Sequence, residues 1–203
     1  MINRNLDIFK SNLTSLKNAS HDKNKNEYMT HSCIEVINFD KVKEQYIKNL
    51  YLKEPPSSND CLVFNNKNKK WLFIEFKNGQ INKIVQAELK KKIYDSLLIL
   101  FDILQKDNAN ISASRIYIDY ILVYNDKANI NSKDPILIQK RLSDPANVEY
   151  SNSFINLAKS IAKTTKSEHL ICFKLSSFKN FCLNDVYTFN QKEFEEYIKN
   201  QFS

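Results

Sequence analysis

The segment Trp71-Leu72-Phe73-Ile74-Glu75-Phe76-Lys77 carries an acid and a base on an otherwise apolar strand. Strand residues alternate faces, so Glu75 and Lys77 project side by side while Leu72, Ile74 and Phe76 share the other face. Charge at the end of so apolar a strand is costly unless each group has a partner. A second strand, Asp60 to Phe64, precedes it, and the polar stretch Asn65 to Lys70 reads as a hairpin loop. With that loop centred on Lys67 and Asn68, Asp60 falls directly opposite Glu75. Residues so opposed have Cβ atoms about 4.5–5.5 Å apart, and like charges there repel. A slip of one residue would send Asp60 to the wrong face. In this register the two carboxylates need a neutralising partner. A divalent cation, Mg²⁺ or Mn²⁺, would serve, since Mg²⁺ takes one or two carboxylates plus waters and substrate phosphate.

Two carboxylates and a lysine around such a cation suit phosphodiester hydrolysis. The metal polarises the phosphoryl oxygen and lowers the pKa of a bound water. Lys77 would position or deprotonate that water, or offset the negative charge that develops. The plainer reading makes Asp60 and Glu75 solvated hairpin-end residues with Lys77 offsetting them. A second acid-x-lysine triplet, Glu88-Leu89-Lys90, lies on an amphipathic helical pattern. Glu88 and Lys92 there have i,i+4 spacing, which reads as solvated surface.

The elements that must position these groups are readable from periodicity. Leu6 to Ala19 has the apolar spacing of a helix, and His21 to Glu27 is polar and loop-like. Cys33 to Phe39 is β-branched and aromatic, a short strand. Asp40 can cap a helix running to about Tyr51, with Val42, Tyr46 and Leu50 inward. Pro55 to Asn59 ends that element. After the hairpin, a long helix is predicted over Asn82 to Gln105. Ile84, Val85, Leu89 and Ile93 line its first half, and the apolar run Leu97 to Leu104 implies deep burial. Ile116 to Tyr124 reads as an interior strand. Ser153 to Lys163 is predicted helical, and Leu170 to Leu175 and Val186 to Phe189 are predicted strands. Asn190 and Glu193 have capping-box spacing with Phe189 and Phe194 at the staple positions, opening a last helix to about Asn200.

At 203 residues, with 42% hydrophobic and 26% charged residues, the chain has the composition of one globular domain. No apolar run is long enough to span a membrane, and the N-terminus has no apolar signal core, so a cytoplasmic protein without membrane attachment is expected. Cys33, Cys61, Cys172 and Cys182 form no C-x-x-C pair, which fits free thiols. His169 and Cys172 lack the second ligand pair of a zinc site. The net charge of +7 favours a nucleic-acid partner. Only three of the thirty basic residues are Arg, however, and much of the charge reads as solvated lysine. Lys67, Lys69 and Lys70 on the hairpin tip, and Lys90 and Lys91 on the long helix, are the candidate phosphate contacts. No phosphate-binding glycine loop or nucleophile elbow is present.

Asp60, an intervening stretch and then Glu75-Phe76-Lys77 at a strand end resemble the core of the PD-(D/E)XK, or restriction-endonuclease-like, nucleases. The element order over about 35–124 agrees: helix, hairpin with the acidic set, long helix, strand. The resemblance implies an α/β fold with a mixed central sheet flanked by helices. It also implies cleavage of nucleic acid, with DNA the expected substrate and Mg²⁺ or Mn²⁺ held by Asp60, Glu75 and the backbone carbonyl of Phe76. Lys77 would serve the water. Small stand-alone members often act in bacterial or phage conflict, and many work as homodimers. Many members add a glutamate from the helix before the hairpin; Glu44 is the candidate here, and Glu35 a second. Departures are the Asn59-Asp60 pair where the family has Pro-Asp, and no Gln-x-x-x-Tyr in the following helix. The alternatives are a catalytically silent protein of the same fold and an unrelated α+β binding or immunity partner.

Overall fold

A computed structural model describes residues 6–104, 110–143 and 170–202. Its centre is a mixed six-stranded sheet. The strands are β1 (Leu13–Ser15), β4 (Glu35–Asn38), β5 (Cys61–Asn65), β6 (Lys70–Lys77), β7 (Ile118–Tyr124) and β8 (Asp185–Asn190), side by side in that order. The first four pair antiparallel, whereas β6–β7 and β7–β8 are parallel. A separate small hairpin pairs β2 (His21–Asp22) with β3 (Glu27–Tyr28). The helices are α1 (Asp7–Lys10), α2 (Leu16–Ala19), α3 (Phe39–Ile47), α4 (Lys83–Ile103), α5 (Ile111–Tyr117), α6 (Pro135–Ser143) and α7 (Gln191–Phe202). The expected mixed sheet flanked by helices is therefore observed.

Alternation along the strands builds two apolar layers. Leu62, Trp71, Phe73, Ile118, Tyr120 and Leu122 pack with Leu89, Ile93, Leu97 and Leu100 of α4. Cys61, Val63, Leu72, Ile74, Ile121 and Val123 pack with Phe194 and Ile198 of α7. All seven residues of β7 are buried, as an interior parallel strand requires. Asn82 caps α4 by accepting from the Ile84 and Val85 N–H groups. The Asn190–Glu193 capping box forms in both directions, at 2.9 and 2.8 Å. Asn190→Ala is expected to cost about 1 kcal/mol, read as a lower urea midpoint.

Several boundaries differ from expectation. Leu6 to Ala19 is two short helices around β1, because Ser11 and Asn12 end the first and Ser15 caps the second. The loop expected at His21 to Glu27 contains the β2–β3 hairpin. Asn38, not Asp40, caps α3 by accepting from Lys41 N–H, and α3 ends at Ile47, which leaves Leu50 46% exposed. On α4, Ile84 and Leu98 are exposed at 69% and 66%, so neither half of that helix is as inward as its composition implied. Ile116 and Tyr117 belong to α5 rather than to the strand. Leu170 to Leu175 is irregular, with Phe173 and Lys174 at positive φ, and no strand. The helix expected at Ser153 to Lys163 and the residue His169 lie outside the described residues. Cys61, Cys172 and Cys182 are buried and free, and Cys33 is exposed. Among the described residues no helix is long and apolar enough to cross a membrane.

Candidate metal and active site

Strand β5 meets β6 in the register Cys61↔Ile74 through Asn65↔Lys70, so Asp60, just before β5, continues it opposite Glu75. The loop leading to Asp60 is bolted to α4. Ser57 N–H donates to Asp95 Oδ2 at 2.7 Å, and Asn59 N–H donates to Ser96 Oγ at 2.8 Å. The second bond gives buried Ser96 its place among the apolar residues of the inner α4 face. The Asp60 carbonyl accepts from Phe39 N–H at 3.0 Å, and its carboxylate Oδ2 accepts from Phe76 N–H at 2.6 Å. A strand residue directs its N–H and C=O to the same side, so the Phe76 carbonyl faces the edge where Asp60 lies.

Glu75 is fully buried, against the plainer reading of a solvated hairpin end. Its Oε1 lies 2.6 Å from Lys92 Nζ and 3.3 Å from Lys77 Nζ, while its Oε2 is buried and has no hydrogen-bond partner among the described residues. Lys92 Nζ also lies 3.5 Å from Asp60 Oδ1. It bridges the two acids, and its side chain is 20% exposed. The solvated surface role read from its spacing with Glu88 is thus incorrect: Glu88 is exposed, but Lys92 turns inward beside Leu89 and Ser96. Its position three after Leu89 and four before Ser96 was the available signal.

Electrostatics follow from the crowding. Burial first, and then the Glu75 charge, raise the pKa of Asp60, against the pull of Lys92 and the Phe76 N–H. Burial works against the charge of Lys92, but Glu75 and then Asp60 outweigh it, and its pKa is raised. Burial pushes the Tyr120 hydroxyl well up, helped by Glu75 and Asp60, and that hydroxyl has no hydrogen-bond partner among the described residues. Asp40 adds to the negative field on Asp60 and accepts from Ser58 Oγ at 2.5 Å. Asp40 was not among the acids selected from the sequence. Glu44 is exposed one turn further along α3. Glu35 is exposed on β4, paired with Ser15.

The exit from β6 is held just as firmly. Asn78 Nδ2 donates to Asp22 Oδ2 and Glu27 Oε2, and Asn125 Nδ2 donates to Asn78 Oδ1. The β2–β3 hairpin therefore braces the strand end that carries Lys77.

The other candidates are dispersed. Lys67, Lys69 and Lys70 lie at the opposite end of β6. Glu75 lies five steps along the strand from Lys70, about 17 Å at strand rise. Lys67 Nζ donates to the Asn200 carbonyl of α7, and Lys69 adopts a left-handed conformation with φ of 59°. Lys90 is half-buried, and exposed Lys91 pairs with Asp95 and reaches Ser57 Oγ at 3.4 Å. Asp60, Glu75, Phe76 and Lys77 are brought together, joined by Lys92, Asp40 and Tyr120, which the spacing argument had not selected. Comparison with known proteins gives no matching family model, no similar curated protein and no similar solved structure.

Proposed function

We propose that the chain is a metal-dependent nuclease of restriction-endonuclease-like fold that hydrolyses phosphodiester bonds, in DNA by preference. The observation that carries this reading is the buried Glu75, set opposite Asp60 with one carboxylate oxygen unpartnered and Lys77 at its side. An orphaned buried carboxylate oxygen is a costly feature that a cation would relieve.

The donor set fits Mg²⁺ or Mn²⁺: Glu75 Oε2, Asp60 and the Phe76 carbonyl supply hard oxygen ligands, and water and a phosphate oxygen would complete them. When bound, the metal supplies Lewis-acid polarisation of the phosphoryl group and an acidified water. The chain's own groups do the remainder. Phe76 N–H fixes the rotation of the Asp60 carboxylate, and Glu75 is fixed by its place in the core. Lys77, 24% exposed, can hold the attacking water or offset charge on the phosphate. The site sits at the carboxyl end of the parallel pair β6–β7, where open α/β sheets commonly receive ligands.

One observation favours a second reading, a catalytically silent binding protein: Lys92 already bridges the two acids, and Lys77 pairs with Glu75. Incubation with duplex DNA and Mg²⁺ or Mn²⁺ separates the two. A nuclease gives cleavage that stops on chelation and falls about 10²–10⁴-fold in Lys77→Ala, the usual contribution of a proton-handling group. Neither cleavage nor metal uptake in the presence of DNA or RNA would leave the silent reading.

A further inference from the structure

The centre of the site holds two acids and two lysines. With both carboxylates ionised, Asp60 and Glu75 count two negative against Lys77 and Lys92. The two lysines are not equivalent. Among the described residues the Lys77 ammonium forms an ion pair with Glu75 alone, at 3.3 Å, whereas Lys92 spans both acids at 2.6 and 3.5 Å. Lys92 thus lies between the carboxylates that a metal would share. A divalent cation added to this set would leave a surplus of two positive charges in a largely buried place, which is unfavourable. The surplus falls if Lys92 withdraws or if anionic phosphate arrives with the metal. Lys92 can withdraw, since its side chain is already 20% exposed and a lysine stem is long and flexible.

Resting on the nuclease reading, we infer that Lys92 is a built-in counter-cation that competes with the metal for Asp60 and Glu75, so that the site takes up metal efficiently only together with the nucleic-acid phosphate. Lys92 is then a positioning residue of the metal-free state. It keeps two opposed carboxylates together until substrate arrives. The phosphodiester supplies the negative charge that lets the metal in and gives the released ammonium a partner.

The test is Mn²⁺ binding by calorimetry to the full chain, with and without a cleavage-resistant phosphorothioate DNA duplex. Wild type is expected to bind Mn²⁺ weakly alone and at least about tenfold more tightly with the duplex. Lys92→Gln is expected to bind Mn²⁺ alone about ten- to a hundredfold more tightly than wild type, the equivalent of one charge-assisted hydrogen bond no longer broken. Lys92→Arg, which keeps the bridging charge, should behave as wild type, and Lys77→Gln should gain less than Lys92→Gln. A Lys92→Gln affinity no better than wild type, or equal gains in both glutamine variants, would overturn the inference. Should Lys92→Gln fail to fold, the wild-type comparison with and without duplex decides. Duplex-dependent uptake lost in Glu75→Gln, with Lys92→Gln no tighter, removes the role of Lys92 and leaves the nuclease reading standing. No uptake by any variant, with or without duplex, removes both.

Discussion

Glu75→Gln is expected to abolish Mn²⁺ binding and to lower DNA cleavage at least about a thousandfold, the loss that several kcal/mol of metal stabilisation represents. Glutamine keeps the volume of the side chain, so the fully buried position stays filled and the strand keeps its packing against α4. What changes is charge. Asp60 alone would face Lys77 and Lys92, turning a balanced site into one with a net positive charge that repels a divalent ion. Lys92 would be left with Asp60 as its acid, and the Glu75 charge that helps raise the Asp60 pKa would be gone. Calorimetry reads the metal loss and a gel assay reads the rate. A melting temperature close to wild type is needed to assign both to charge. Retained cleavage would show that the hydrolysing centre lies elsewhere in the chain.

How much of this site could be read from the sequence depends on what fixed each residue. The hairpin register was legible because period-two alternation and a loop centred on Lys67 and Asn68 leave one pairing that buries the apolar sides of both strands, and Asp60 opposite Glu75 follows from it. The C-terminal cap was legible because its chemistry is local, an Asn and a Glu three residues apart. Lys92 was misread because the same spacing that makes a surface ion pair with Glu88 also places a residue beside Leu89 and Ser96. Only the sheet lying under α4 decides which way it turns. Asp40 and Glu44 lie one turn apart on the same helix. Asp40 is tied by Ser58 to the irregular loop before Asp60, a contact with no periodic signature. The early failure at Leu6 to Ala19 has a similar cause. Its apolar spacing fits a helix, yet Ser11, Asn12 and Ser15 offer side-chain bonds to the backbone and to Gln45 that break it into three pieces.

The second large effect concerns stability. Lys92→Met alone is expected to destabilise the fold by about 3 kcal/mol, because it leaves the buried Glu75 carboxylate with Lys77 at 3.3 Å as its only ammonium partner. Glu75→Met alone should cost less, about 1–2 kcal/mol, since Lys92 keeps Asp60 and can reach solvent. The double variant Glu75→Met, Lys92→Met should be close to wild type or better, because two flexible apolar side chains of similar volume replace a buried ion pair that had to be desolvated. The cycle would then give a coupling of about 4–5 kcal/mol, read from urea midpoints of the four proteins. Additive losses would mean that the 2.6 Å contact between Lys92 and Glu75 adds no specific stability. A stable double variant that binds no metal would separate the stabilising role of the pair from the metal role proposed for it. In that outcome the apolar faces of β5, β6 and β7 against α4 would suffice to hold the fold without the charges set among them.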